Sequence, residues 1–232
     1  MNPVPLFLII VSLPLLLGGC GEKATVEPVV ETKPAEGTPV KPNLKYEIKE
    51  GTVTITGCDK KASGTLTIPA TIEGKPVTSI GHQALNSCTS LTSVTIPDSV
   101  TSIESEAFGR CTSLTSITIP DSVTSIGRFA FFWCDSLTNI TIPDSVTSIG
   151  ESAFAGCPSL TNITIGDSVT SIGDGAFQGC GKLNTVTFHG DAPRARNYTF
   201  LNSAPTIYRK PEAKGWGDTF GKRPVKLISE KS

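Results

Sequence analysis

The sequence is short of the residues that do chemistry. It holds only two histidines, His82 and His189, and one methionine, and aromatic residues make up 6% of it. No nucleophile elbow, phosphate-binding loop, zinc-protease helix or pair of catalytic carboxylates occurs. Short Cys-x-x-Cys spacings and mixed Cys/His clusters, which zinc needs, are missing, as are the glycine-aspartate nonapeptides that bind calcium. The chain therefore reads as non-enzymatic, with no cofactor and no metal site. Basic charge is scarce in one long stretch: residues 88–180 carry two basic side chains, Arg110 and Arg128, against nine acidic ones. A body of that sign is a poor match for nucleic acid, which is held by Lys and Arg on its phosphates. Residues 181–232 reverse the balance, with ten basic and four acidic side chains, as expected of a solubilising, charged end piece. The apolar run at residues 4–17 is 14 residues long, below the roughly 20 that a membrane-spanning helix requires.

What the sequence has is a period. Cys88, Cys111, Cys134, Cys157 and Cys180 stand 23 residues apart, and the residues between them repeat in step. Ile-Pro-Asp-Ser-Val-Thr-Ser-Ile occurs unchanged at 96–103, 119–126 and 142–149, and returns at 165–172 with Gly166 in place of proline. A period of this size means one supersecondary unit stacked on copies of itself, because a single unit cannot bury its apolar face alone. Each unit opens Leu-x-x-Val/Ile-x-Ile/Phe, whose alternation and β-branched residues predict a half-buried strand. Pro-Asp-Ser breaks that strand. Val-Thr-Ser-Ile-Gly then reads as a second short extended segment, and x-x-Ala-Phe-x-x-Cys as a buried stretch with the spacing of a helical turn.

These motifs resemble the BspA-like leucine-rich repeats of bacterial surface proteins. The resemblance implies a β-rich solenoid: a right-handed coil of parallel strands and short helical turns, with surface display and protein binding as its expected role. The repeats run over 66–203 as five clear units and a degenerate sixth, in which Ala192-Pro193-Arg194-Ala195 replaces Val-Thr-Ser-Ile. Residues 44–65 are expected to form an N-terminal cap and 204–232, with Ile207, Tyr208, Trp216 and Phe220, a C-terminal cap and tail.

Residues 1–19 read as a signal peptide. The apolar run ends Leu17-Gly18-Gly19-Cys20, which resembles the lipobox of bacterial lipoproteins; no Lys or Arg precedes it. That resemblance implies cleavage before Cys20 and acylation of its thiol and new amino group, anchoring the protein in a membrane. Gly21, rather than an aspartate, points toward the outer membrane or cell surface. Residues 20–43, with Pro28, Pro34, Pro39 and Pro42, read as an extended tether.

Candidate sites are surfaces. The in-step cysteines are expected to form a buried column of small side chains rather than disulfides or a metal site; Cys58 lies off the period. Thr95, Thr118, Thr141, Thr164 and Thr187 should form one outward column on the first strands, and Ser93, Ser116, Asn139, Asn162 and Thr185 its neighbour. This grid is either a docking face for a protein or glycan, or merely residues that suit exposed strands. One unit departs from the rest: Arg128-Phe129-Ala130-Phe131-Phe132-Trp133 carries three aromatics, Phe129, Phe132 and Trp133, beyond the core Phe131. They form a binding hot spot or pack on neighbouring turns of the coil. The functional expectation is a membrane-anchored module for protein interaction or adhesion. A self-associating envelope spacer and a glycan-binding protein are the competing readings.

Overall fold

The computed structural model describes residues 44–230, which lie within a compact unit that begins at residue 39. The signal peptide, Cys20 and the tether lie outside the described residues. The chain enters as an antiparallel pair, β1 (Leu44–Lys49) and β2 (Thr52–Cys58), closed by a turn with Glu50 and Gly51 at positive φ. Then come β3 (Ser63–Thr67), β4 (Thr71–Ile72) and β5 (Lys75–Ile80). β4 and β5 are a hairpin turned by Glu73 and Gly74, both left-handed as a two-residue hairpin loop requires. This hairpin accommodates the insertion of the first unit.

From there each unit contributes two strands. They are β6 (Ser90–Thr95) and β7 (Ser102–Ile103), β8 (Ser116–Thr118) and β9 (Ser125–Ile126), β10 (Asn139–Ile142) and β11 (Ser148–Ile149), and β12 (Asn162–Ile165) and β13 (Ser171–Ile172). β14 (Thr185–Phe188) and β15 (Arg194–Ala195) complete the series, followed by β16 (Thr206–Arg209), β17 (Thr219–Phe220) and β18 (Arg223–Leu227). Pairing is parallel and in register at the repeat period, as in Ser148 beside Ser171 and Ile163 beside Val186. The fold is the solenoid of stacked units expected from the period, in the leucine-rich-repeat form that the resemblance implies. The degenerate sixth unit keeps register despite its changed sequence, with Arg194 beside Ser171 and Ala195 beside Ile172.

Two features differ from the sequence reading. The Ala-Phe stretch forms hydrogen-bonded turns, not α-helix. Its amides alternate: Ala84, Asn86 and Cys88 bond back three residues, while Gln83, Leu85 and Ser87 bond to Ser105, Ala107 and Gly109 of the next turn of the coil. Half of the donors thus extend the stack, so the i to i−4 pattern of a helix has none left to use. The spacing of one helical turn is shared by both arrangements.

The second strands form an unbroken ladder from β5 through β15, but the first strands fall into two sheets, β3-β6-β8 and β10-β12-β14-β16-β18-β17. At the break the bond from Thr138 N to Thr115 O stretches to 3.4 Å, against 2.8 Å from Thr161 N to Thr138 O one unit on.

Inside, identical side chains stack on themselves. Phe108, Phe131, Phe154, Phe177 and Phe200 form one column with centroids 5.1–5.6 Å apart and rings within 13° of parallel. Leu85 holds the same place in the first unit. The glycines that close the second strands are there for space: a side chain on Gly127, Gly150 or Gly173 would collide with the backbone of the preceding unit.

Candidate functional site

The six described cysteines are free and buried, as the column reading expects. Four of them also make a specific bond. Cys111, Cys134, Cys157 and Cys180 donate Sγ–H to the carbonyls of Leu85, Phe108, Phe131 and Phe154, at 3.1–3.2 Å. Ser203 takes the next place in the column and donates Oγ–H to Phe177 O at 2.6 Å. The position therefore selects a small donor that satisfies an inward carbonyl. Burial pushes the Cys180 thiol up to about 11 and Cys111 up to about 12, and raises Cys134 and Cys157 well above the ordinary value. Thiols held this way are inert.

The polar grid is less uniform than its sequence. Thr95, Thr118 and Thr141 are exposed, Thr164 is half-buried, and Thr187 is only 8% exposed. Thr187 is thus a correction: β16 and the C-terminal segment continue the first sheet beyond it, with Tyr208 as its neighbour. In the second column Ser116, Asn139 and Asn162 are exposed, and Ser93 and Thr185 half-buried. The columns are also not continuous, because the sheet divides between Thr118 and Thr141. A cavity of about 490 Å³ opens at that division, lined by Ile117, Thr118, Asn139, Ile140 and Thr141 among others.

The aromatic unit is the stronger candidate. Within it Ala130, Phe131 and Cys134 are fully buried, as in every copy. Phe129 and Trp133 occupy left-handed backbone positions, at φ 54° and 55°. The same two positions are left-handed in all six copies, held by Gln83, Glu106, Ser152, Gly175 and Tyr198 in one series and Ser87, Arg110, Gly156, Gly179 and Asn202 in the other. The alternating amides impose this twist, and a side chain at such a position costs about 1–2 kcal/mol relative to glycine. Sequence reasoning missed these positions because only three of the twelve are glycine.

From these positions the rings project outward. Phe132 stacks on Trp133 at 4.8 Å and 15°, and Phe129 meets Phe132 edge-on at 5.4 Å. Trp133 is 48% exposed. The only two basic residues of 88–180 both converge here. The Arg110 guanidinium lies 5.1 Å from the indole centroid, and Arg128 lies 5.5 Å from Phe129. Arg128 also pairs with Glu151 at 3.1 Å, whereas Arg110 has no carboxylate partner among the described residues. Arg110 forms a ridge between two hollows. One, of about 320 Å³, is lined by Gln83, Asn86, Glu106, Phe129 and Phe132; the other, of about 580 Å³, by Thr112, Trp133, Asp135, Gly156 and Pro158 among others. Such a surface offers flat apolar area, an exposed cation and hydrogen-bonding groups on one side. Among the described residues no cluster of three or more His, Cys, Asp or Glu is placed to hold a metal.

Comparison with known proteins fits this architecture. Solved structures of bacterial leucine-rich-repeat proteins are similar. One from T. pallidum is 30% identical, with 74% of this chain and 85% of that one covered and a TM-score of 0.63. One from Bacteroides ovatus is 28% identical over 80% of this chain and 57% of that one, at a TM-score of 0.52. The pneumococcal vaccine antigen PcpA shares the fold, at 23% identity and a TM-score of 0.59 over 73% of this chain and 49% of that one. No curated protein matches. Residues 78–206 match the BspA type leucine rich repeat region in six copies, and the chain belongs to that family.

Proposed function

We propose that this protein is a non-enzymatic binding module of the bacterial envelope, anchored through acyl chains on Cys20 and docking a protein partner through Phe129, Phe132 and Trp133. The family is one of repeat scaffolds, with an interaction or surface role in bacteria. The observation that carries the assignment is local. One unit of six puts large aromatic rings on both left-handed positions; the other units hold Gln, Glu, Arg, Ser, Asn or Gly there, with Tyr198 the single further aromatic. Its indole also stays about half exposed. Each ring carries a backbone cost that glycine would spare at its position. Exposed Trp beside Arg is also the composition of interaction hot spots.

Trp133→Gly tests the reading, since glycine is what Gly156 and Gly179 already supply at this position. Capture of partner from envelope or host extract on immobilised full-length protein should fall at least about tenfold, with the melting curve little moved. Equal capture by the variant would remove the site. A self-associating spacer would instead show concentration-dependent oligomers in sedimentation. Loss of binding to purified glycans, rather than to protein, would reassign the same surface.

A further inference from the structure

Cys58 is off the sequence period but not off the spatial one. It ends β2, in the cap that stands where a preceding repeat would be, and its thiol lies beside that of Cys88. Both sulfurs approach one carbonyl, Asp59 O, at 3.6 Å from Cys58 and 4.0 Å from Cys88. The reason lies in the way the column ends. Every later cysteine is locked to a carbonyl 26 residues earlier. The residue in that relation to Cys88 is Ala62, in the irregular cap, and Cys88 has no such bond. Its sulfur is left with a distant carbonyl and a second thiol.

The surroundings differ from the rest of the column too. Lys60 donates its Nζ–H to Asn86 O, two residues from Cys88, which holds an ammonium next to the pair. A hollow of about 580 Å³, lined by Leu44, Lys45, Cys58, Asp59, Lys60 and Lys61, reaches Cys58 from outside. The two neighbouring thiols influence each other: the Cys58 thiol, with Lys60 beside it, holds the Cys88 thiol below its ordinary value, while Cys58 is pushed up by Cys88 and by burial. The later thiols, buried and bonded to carbonyls, are only pushed up.

We propose that Cys58 and Cys88 form a dithiol site that closes to a disulfide by exchange with a small anionic disulfide entering the lysine-lined hollow. In the first step the Cys58 sulfur gives its proton to solvent, attacks the external disulfide and expels one thiolate, leaving a mixed disulfide on Cys58. The Cys88 thiolate then attacks the Cys58 sulfur and expels the second thiolate. The protein loses two electrons and two protons, and the external disulfide gains them as two thiols. The product ties the N-terminal cap to the first repeat, fastening the open end of the coil.

The test uses the full chain, reduced and then incubated with oxidised glutathione. Peptide mapping should show loss of two hydrogens, a Cys58–Cys88 crosslink and unmodified thiols at the other described cysteines. The crosslinked form should melt about 5 °C higher than the reduced form. Cys58→Ala should abolish the crosslink; mapping of the unaltered chain decides the matter should that variant not fold. Cystamine, a cationic disulfide, should react at least about threefold more slowly than oxidised glutathione at low salt. A crosslink mapped to Cys88–Cys111, or two thiols persisting at Cys58 and Cys88 after prolonged exposure, would overturn the proposal.

Discussion

The indole of Trp133 fills the space that a side chain on Gly156 would occupy: a Cβ built on Gly156 would overlap the indole ring. The two residues hold the same place in consecutive units, so the ring lies along the axis of the coil, over the next unit. Gly156 also sits at φ 69°. Gly156→Ala should therefore do two things at once. It should displace the indole, read as a shift in tryptophan emission, and lower stability by about 1–2 kcal/mol because alanine is strained at that φ. Capture of partner should fall with it.

Relief of strain makes an opposite prediction for the ring itself. Trp133→Gly removes a left-handed non-glycine residue, about 1–2 kcal/mol in its favour. It also removes the stack on Phe132 and the cation contact with Arg110, each about 0.5–1.5 kcal/mol against it. Chemical denaturation should show a net change within about 1 kcal/mol. A loss above about 3 kcal/mol would mean that the indole is core, and the docking site would be withdrawn.

Phe154 lies fully buried between Phe131 and Phe177. Phe154→Ala should cost about 3–5 kcal/mol. Phe154→Leu, which copies what Leu85 does in the first unit, should cost under about 1.5 kcal/mol. Urea denaturation of the two variants separates a cavity from a tolerated change of shape.

Buried thiols should weaken the fold in alkali. In the unfolded chain a thiol titrates near 9.0, while Cys180 in the fold titrates near 11. Between those values the unfolded state has lost a proton that the folded state keeps, so stability falls as pH rises from 9 toward 11 and then levels. Cys180 alone should account for about 2 kcal/mol of that loss. Cys180→Ser retains the donor, as Ser203 does one unit on, and should flatten the slope in melts run from pH 8 to 11.

The sequence showed the period, the alternating strands, the buried Ala, Phe and Cys positions and the odd aromatic unit, because identical residues at a fixed spacing must meet identical neighbours. Features that depend on differences between copies were hidden. The left-handed positions bear Gln, Glu, Phe and Arg as well as glycine, so composition did not reveal them. Cys58 is 30 residues before Cys88, and only the geometry of the cap restores it to the column. Thr187 looks like its counterparts, yet the C-terminal segment buries it. The division between β8 and β10 separates units with almost identical strand sequences, and we have no physical account of it.

In-register stacking also makes length an independent variable. Residues 142–149 and 119–126 are the same eight residues, and the second strand of each lies in register between two other Ser-Ile strands. Excising residues 142–164 would join Thr141 to Ile165 and recreate the junction that was removed. A chain shortened in this way should still melt cooperatively, keeping both ends and the aromatic rings of Phe129, Phe132 and Trp133. Recombination between such copies can thus lengthen or shorten the coil, one module at a time, without redesigning either terminus.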